Sequence, residues 1–287
     1  MPANEKAPAS RAYQGRSQMT EVWRRLKKNR MAMVGLSMVT LLVILALSAD
    51  LIADYDTVVI KQNVRERLQG PSSYHWFGTD EFGRDIFARV VHGARISLIV
   101  GIVAVSIAVV TGGVLGAIAG FYGGRLDNVI MRIMDIFLSM PILLLSIMIV
   151  SVLGSSMFNL MLAIGLSSMP TFARIVRASV LSVKDQEFVE AARAIGAYDT
   201  TIIAFHILPN CLAPVIVQAT LRVATSILST ASLSFIGLGI QPPAPEWGAM
   251  LAGGRVYLRD AWHIVFFPGL FIMITILSLN LLGDGLR

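Results

Sequence analysis

The sequence contains a single cysteine, Cys211, among 287 residues. One cysteine cannot form an intramolecular disulfide, and the four histidines show no metal-ligand spacing, so neither a disulfide framework nor a metal site is expected. Charged residues are also scarce: they make up 15% of the chain, against about a quarter in soluble domains. Together with 55% hydrophobic residues, this composition excludes a soluble globular domain and indicates an integral membrane protein.

Two further absences concern chemistry. None of the five lysines follows a glycine, so the phosphate-binding motif G-x-x-x-x-G-K-[ST] is missing and the chain is not expected to bind ATP or another cofactor. The sequence also lacks the G-x-S-x-G and H-E-x-x-H motifs, which place catalytic nucleophiles and zinc ligands. We therefore expect no catalytic residue and no enzymatic activity in this chain.

Long runs without charge are what the sequence does contain. At about 1.5 Å per helical residue, the run 136–173 would extend for roughly 57 Å, nearly two membrane thicknesses, so it must fold back on itself. We place the break among the turn-forming residues of 154–159. The result is an all-α membrane fold with six transmembrane helices. The apolar stretches are 31–49, 96–124, 136–173 (two spans), 209–240 with Arg222 as its one charge, and 261–283.

Basic residues predict the orientation. Five of them crowd directly before the first span, which is the positive-inside pattern of a cytoplasmic terminus rather than a nucleic-acid-binding patch. An even number of spans then places both termini in the cytoplasm. The five basic residues are Arg24, Arg25, Lys27, Lys28 and Arg30. The predicted organisation is a cytoplasmic tail (1–30), transmembrane helix 1 (31–53), an extracytoplasmic segment (54–95) and a transmembrane core (96–287).

The extracytoplasmic segment ends in a helical pattern. Ile86, Val90 and Ala94 recur at four-residue spacing, and polar residues occupy the opposite side. This pattern predicts a short amphipathic helix that either lies in the outer membrane interface or packs against neighbouring spans. Span 2 is expected to begin after it, at Ile96.

A charged stretch, "EFVEAARAIGAYDTTIIAFHILPN", separates spans 4 and 5. Phe188, Ala192 and Ile195 form an apolar stripe at helical spacing, and Gly196 then allows the backbone to turn. The first half of the stretch therefore predicts a short amphipathic helix that ends at a glycine.

The second half of the stretch predicts another short helix. Asp199 is placed to cap it and Pro209 to end it. Residues 183–209 thus contain two short helices joined at a glycine, and we call this segment the bracket. From the pattern alone, the bracket is either a rigid connection that a partner holds or an ordinary amphipathic linker.

The bracket resembles the cytoplasmic E-A-A-x3-G-x9-I-x-L-P signature of ABC importer permeases, except that His206 holds the isoleucine position. The residues at the signature positions are Glu190, Ala191, Ala192, Gly196, His206, Leu208 and Pro209. Four other stretches resemble the second, C-type permease subunit of dipeptide, oligopeptide, glutathione and nickel importers. They are "FGTDEFGRDIFARVVHGARISL", "DNVIMRIMDIFLSMP", "ASLSFIGLGIQPPAPEWGAML" and "NLLGDGLR".

The resemblance implies a fold, a function and a set of partners. The fold is that of a type I ABC importer permease, with cytoplasmic coupling helices between spans 4 and 5 whose signature residues contact an ATPase. The function is that of the permease subunit of an ATP-driven, binding-protein-dependent importer that moves small peptides across the bacterial cytoplasmic membrane. The implied partners are a homologous second permease, two ABC ATPase subunits that carry ATP and Mg²⁺, an extracytoplasmic substrate-binding protein and the lipid bilayer.

Arg222 is the one charge predicted within a span. It lies roughly 16 Å along span 5. An arginine at the bilayer centre costs about 2.5–3.5 kcal/mol, so Arg222 should face protein or water. It either lines the translocation path together with Ser226 and Thr230, or makes a structural contact where two permeases meet.

A stand-alone secondary carrier or channel is the alternative function. Ion-driven carriers use carboxylates within their spans as proton and cation relays. The predicted spans contain no internal Asp or Glu, which disfavours this alternative.

Overall fold

The computed structural model describes residues 26–286, so most of the predicted tail (1–30) and Arg287 lie outside the described residues. Within 26–286 the chain is helical, with one isolated bridge between Thr79 and Asp85 and no β-strand. Tyr55–Val59 and Ile202–Ile207 form π-helical turns. The α-helices are α1 (Arg30–Leu47), α2 (Ala49–Ile52), α3 (Ile86–Tyr122), α4 (Gly124–Leu138), α5 (Ile142–Leu153), α6 (Met157–Val183), α7 (Glu187–Ala194), α8 (Asp199–Thr201), α9 (Leu208–Phe235), α10 (Trp247–Gly254) and α11 (His263–Leu286).

Five helical stretches of the described chain are long and apolar enough to cross a membrane: α1, α3, α6, α11 and the continuous helix 199–235. Helices α4 and α5 meet the same criterion as a pair, although the chain bends by 92° between them. Counting this bent pair as one crossing gives six spans. The predicted all-α fold with six transmembrane segments is therefore confirmed.

The bent pair changes the predicted course of span 3. The break predicted within 154–159 is confirmed, because Gly154 interrupts the helix with a φ of +86° and Ser156 caps α6. A second break, which the sequence pattern did not predict, falls at residues 139–141, where Pro141 is the N-cap of α5. Helix α5 has only 12 residues, about 18 Å, so it cannot cross the bilayer alone.

The boundary predicted at residue 95 falls inside α3, which continues without a break to Tyr122. Its 37 residues extend for about 55 Å, more than the roughly 30 Å of hydrocarbon, so part of the helix stands outside the membrane. Arg89, Val90 and Val91 are all buried, which means that protein covers the helix on more than one side. The predicted amphipathic helix is therefore the first part of α3 and packs within the protein.

Helices α3 and α6 pack closely along a row of glycines. Gly112, Gly116 and Gly120 recur at four-residue spacing on α3 and face the backbone of α6. A Cβ on Gly116 would lie 3.0 Å from Cα of Ala173, and one on Gly120 would lie 2.9 Å from Cβ of Val180. Small residues in such rows let membrane helices approach each other closely, so α3 and α6 form a tightly packed pair.

The second helix of the bracket does not end at Pro209, contrary to the prediction, but continues into α9. In the π-helical turn Ile202–Ile207 that precedes α9, the N–H of Leu208 donates to the carbonyl of Ile203. This wider turn relieves the clash that a proline ring otherwise makes with the preceding helical turn. The predicted cap is also wrong: Asp199 is the first helical residue of α8, and its side chain makes no capping hydrogen bond.

The spans as the structure bounds them contain carboxylates, which corrects the prediction that none lies there. Asp127 and Asp135 belong to α4, the first half of the bent pair. Both form ion pairs with α6. Arg177 donates to Asp127 through Nε (2.5 Å) and Nη2 (2.6 Å), and Arg174 Nη2 lies 2.6 Å from Oδ1 of Asp135. The sequence pattern missed them because the apolar run begins only after Asp135.

Candidate coupling site and translocation path

The first helix of the bracket, α7, has a buried and an exposed side. Val189 and Ala192 are buried, whereas Glu190 and Ala191 are exposed. Glu187 and Glu190 lie in the first turn, where carboxylates interact favourably with the positive end of the helix dipole. Of the E-A-A triplet, one alanine therefore holds α7 against the protein while the other two residues face outward.

Gly196 ends α7 with a φ of +79°. Its N–H donates to the carbonyl of Arg193 (3.0 Å), and the N–H of Ala197 donates to the carbonyl of Ala192 (3.1 Å). These two hydrogen bonds define a Schellman motif, in which a residue with a Cβ costs about 1–2 kcal/mol more than glycine. The Arg193 guanidinium also lies 5.2 Å from the ring centroid of Phe121, which connects the turn to the end of α3.

The remainder of the bracket is anchored in a hydrophobic cluster. Ile202 and Ile207 are fully buried and pack with residues from the adjoining ends of α3, α6 and α9. Close-packed interiors are only slightly compressible, so a displacement of the bracket is transmitted to all three spans. Other members of the cluster are Phe121, Val180, Val183, Val189 and Cys211.

Large apolar side chains project from the bracket away from this cluster. Ile195 is 85% exposed, Tyr198 82% and Phe205 74%. Exposed apolar groups gathered on one segment are typical of a surface that binds another protein. The outer side of the bracket is therefore a candidate docking surface.

The last three signature residues lie where the bracket joins α9. His206 and Leu208 are partly buried, and Pro209 is exposed. The backbone carbonyl of His206 accepts a hydrogen bond from Nδ2 of Asn210 (2.7 Å). The structure thus places all seven signature residues on the bracket or at its junction with α9.

The three predicted path residues differ in exposure. Arg222 is partly buried, and its Nη2 donates to Oγ1 of Thr171 on α6 (3.1 Å). Ser226 and Thr230 are buried, and the Thr230 hydroxyl donates to the backbone carbonyl of Ser226 (2.9 Å). The two hydroxyl residues are thus packed inside the protein in this conformation, and of the three predicted path residues Arg222 alone is partly exposed.

Helix α4 carries a polar surface that sequence reasoning missed. Asn128, Arg132 and Asp135 are exposed on this helix, beside the exposed apolar residues Val129 and Ile133. Charged side chains on a membrane helix face water or a protein partner rather than lipid. The signal available in the sequence was the pair of acids before the run 136–173 and the pair of arginines after it, although their positions alone do not specify which residues pair.

The sequence matches the models of two protein families. Residues 112–287 match the binding-protein-dependent transport system inner membrane component, and residues 17–71 match the N-terminal transmembrane domain of oligopeptide transport permease C. The chain belongs to this family of binding-protein-dependent permeases, as the resemblance of its bracket predicted. It is a multi-span membrane component of an ABC importer.

Individual permeases are similar to this chain over nearly its full length. The chain is 48% identical over 286 residues to the dipeptide transport system permease protein DppC of Alkalihalophilus pseudofirmus, covering 100% of this chain and 93% of the relative. It is 48% identical over 282 residues to the glutathione transport system permease protein GsiD of Escherichia coli O157:H7, covering 98% and 92%.

A solved structure supports the fold. The inward-facing MetNI methionine ABC transporter matches with a TM-score of 0.56 at 20% identity, covering 68% of this chain and 93% of that chain. This similarity confirms the predicted type I importer permease fold.

Proposed function

We propose that this chain forms, together with a homologous second permease, the pathway through which an ATP-driven importer moves short peptides across the bacterial cytoplasmic membrane. Two ATPase subunits carry ATP and Mg²⁺, an extracytoplasmic binding protein delivers the substrate, and this chain is not catalytic. Relatives named as dipeptide and glutathione permeases support the substrate class. The observation that carries the proposal is the bracket, whose outer side exposes apolar residues while its inner side is anchored to three spans.

The bracket couples ATP hydrolysis to transport. An ATPase subunit holds the exposed side of α7 and the residues around Gly196, and closure of the ATPases moves the bracket as a unit. The cluster around Ile202 and Ile207 passes this movement to α3, α6 and α9. The spans then tilt and open the permease pathway alternately to the two sides of the membrane.

This role places the bracket in the cytoplasm. Both chain ends lie on the same side as the bracket, since six spans separate them, and α10 lies on the opposite, extracytoplasmic side. The basic residues before α1 support this orientation by the positive-inside rule.

A stand-alone carrier or channel is not favoured. The two carboxylates of α4 are each paired with an arginine of α6, whereas a proton or cation relay needs carboxylates that load and release their ligand.

Reconstitution distinguishes an importer subunit from a stand-alone carrier or channel. We expect peptide uptake into liposomes only when the second permease, the ATPases, the binding protein and ATP are all present. Substrate flux through the chain alone would refute the importer proposal.

Ile195→Asp tests the docking surface. Because Ile195 is 85% exposed, the change should leave the permease folded. A carboxylate in an apolar contact should weaken that contact by more than the roughly 1–3 kcal/mol that an unpaired neutral polar group costs. We expect about a tenfold or greater loss of ATPase subunits that copurify with the permease. Val256→Asp is the matched control, since Val256 is 77% exposed on the opposite side of the spans. Unchanged copurification with Ile195→Asp would exclude this surface as the ATPase contact.

Arg222→Ala and Arg222→Lys test the path. If Arg222 attracts a peptide carboxylate, the alanine variant should lose about tenfold or more of its uptake, and lysine should restore part of it, because a charge-assisted hydrogen bond contributes about 1.5–3 kcal/mol. Initial uptake rates with labelled dialanine measure this. Wild-type uptake by both variants would show that Arg222 has no role in the path.

A further inference from the structure

A cavity of about 290 Å³ lies at the end of α3 opposite the bracket. Its lining comes from residues 80–84, Arg89 in the first turn of α3, the loop 237–244 and helix α10, together with Ser234 of α9 and Ile264 of α11. Its walls are largely apolar and include Phe82 and Met250. Sites for small molecules are typically apolar cavities of about this size or larger, with a few converging polar groups.

Two arginines supply the polar groups. Arg84 and Arg89 both line the cavity and are each only 4% exposed. They share one carboxylate: Nε of Arg84 lies 2.7 Å and Nε of Arg89 3.4 Å from Oδ2 of Asp80. The other oxygen of Asp80 already accepts the backbone N–H groups of Phe82 and Arg84. The cavity is thus lined by two acids, Asp80 and Glu81, and two arginines, but among the described residues only Asp80 lies within 3.4 Å of the guanidinium groups. Buried charge without close compensation is costly.

Hydrogen-bond donors remain unused on both arginines. Among residues 26–286, Nε of Arg89 is buried without a hydrogen-bond partner. The terminal nitrogens of Arg84 make no hydrogen bond to a described residue, and the nearest carboxylate oxygen of Glu81 is 3.9 Å from its Nη2. Desolvation also raises the pKa of Glu81, which weakens the compensation that it offers. The cavity is therefore suited to an added anionic group.

We propose that this cavity is a binding subsite for the terminal carboxylate of a short peptide, held by Arg84 and Arg89 while the peptide's side chains contact the apolar walls. The proposal rests on the proposed function as a peptide permease. A guanidinium group presents paired donors that match a carboxylate, and the apolar lining favours a peptide over a bare inorganic anion. The site would lie where a binding protein releases its ligand, before the ligand enters the spans.

The test uses the complete transporter in lipid nanodiscs, without binding protein and without ATP. The probes are L-alanyl-L-alanine and its C-terminal amide, which lacks the carboxylate, and calorimetry measures both affinities. We expect the wild-type complex to bind dialanine about tenfold or more tightly than the amide, as one charge-assisted contact predicts. Arg84→Gln should abolish this preference.

Two further variants make the result interpretable. Ala252 lines the cavity, so Ala252→Met should fill it and weaken dialanine binding while leaving the ionic groups intact. This variant tests the subsite even if Arg84→Gln does not fold. Arg95→Gln is the control, because the one ion pair of Arg95 within residues 26–286 is an exposed pair with Asp50 near the same end of α3. The control should bind dialanine like the wild type.

Three outcomes would overturn the subsite. The first is equal wild-type affinity for dialanine and its amide, and the second is undiminished dialanine binding in Ala252→Met. The third is an Arg84→Gln variant that binds dialanine like the wild type but docks the binding protein more weakly. This third outcome would assign the cavity to the binding protein instead. Uptake by the wild-type complex with binding protein and ATP is measured in parallel. If the complex imports peptides but fails these binding tests, only the subsite proposal is rejected. If the complex does not import peptides, the proposed function is rejected.

Discussion

Gly116→Leu is expected to lower the yield of folded permease complex about tenfold or more, because overpacking a tight helix contact costs about 1–3 kcal/mol and often more. A Cβ at Gly116 would lie 3.0 Å from Cα of Ala173 and closer still to its carbonyl group. The contact is with backbone, which cannot rotate away as a side chain can, so α3 and α6 must separate. Size-exclusion chromatography and thermal unfolding of the detergent-purified complex measure the loss.

Gly113→Leu is the matched control on the same helix. A Cβ on Gly113 meets nothing within 4 Å among the described residues, so leucine there should leave the yield and the unfolding temperature close to those of the wild type. Similar losses from both substitutions would mean that α3 tolerates no large residue anywhere in this turn. The close approach of α3 and α6 would then not be the cause.

Gly196→Val is expected to uncouple ATP hydrolysis from peptide uptake while the spans remain folded. Valine is disfavoured at the φ of +79° by about 1–2 kcal/mol or more, so the Schellman turn opens and α7 loses its fixed angle to α9. We expect ATP-driven uptake to fall about tenfold, which corresponds to 1.4 kcal/mol. The measurement is the ratio of peptide imported to ATP hydrolysed in proteoliposomes.

Gly154→Val controls for backbone strain alone. Gly154 has a similar φ of +86°, and neither glycine has a described atom within 4 Å of its Cβ position. It lies between α5 and α6, outside the bracket. Both variants should therefore lose similar stability, and only Gly196→Val should lower the ratio of transport to hydrolysis. If Gly196→Val kept the wild-type ratio of peptide imported to ATP hydrolysed, the turn would have no role in coupling.

Much of the fold was predictable because it depends on local patterns. The uncharged stretches 31–49 and 261–283 correspond to α1 and α11, since crossing a bilayer requires a minimum apolar length that can be counted directly. The turn at Gly196 and the break after Leu153 involve glycines, whose backbone preferences also act locally. The signature residues of the bracket were also predictable, because they are close together in the chain.

Other features were not predictable, because they depend on residues distant in the chain. The bend before Pro141 lies within the uncharged run 136–173, so counting uncharged residues does not locate it. The continuation of α3 across residue 95 depends on other elements that bury its charged first turns, including Arg89. The burial of Ser226 and Thr230 likewise depends on which helices pack against α9.

The sequence by itself determined that the chain lies in a membrane, crosses it six times, lacks a nucleotide-binding loop and carries a permease coupling signature. These properties follow from composition, run length and short motifs, which act over a few neighbouring residues. Only the tertiary structure decided that Asp127 pairs with Arg177, that the bracket is anchored to three spans, and that Arg84 and Arg89 share Asp80 beside a cavity. The physical reason is that ion pairing and burial require atoms within a few ångströms of each other, and packing alone brings distant parts of the chain that close.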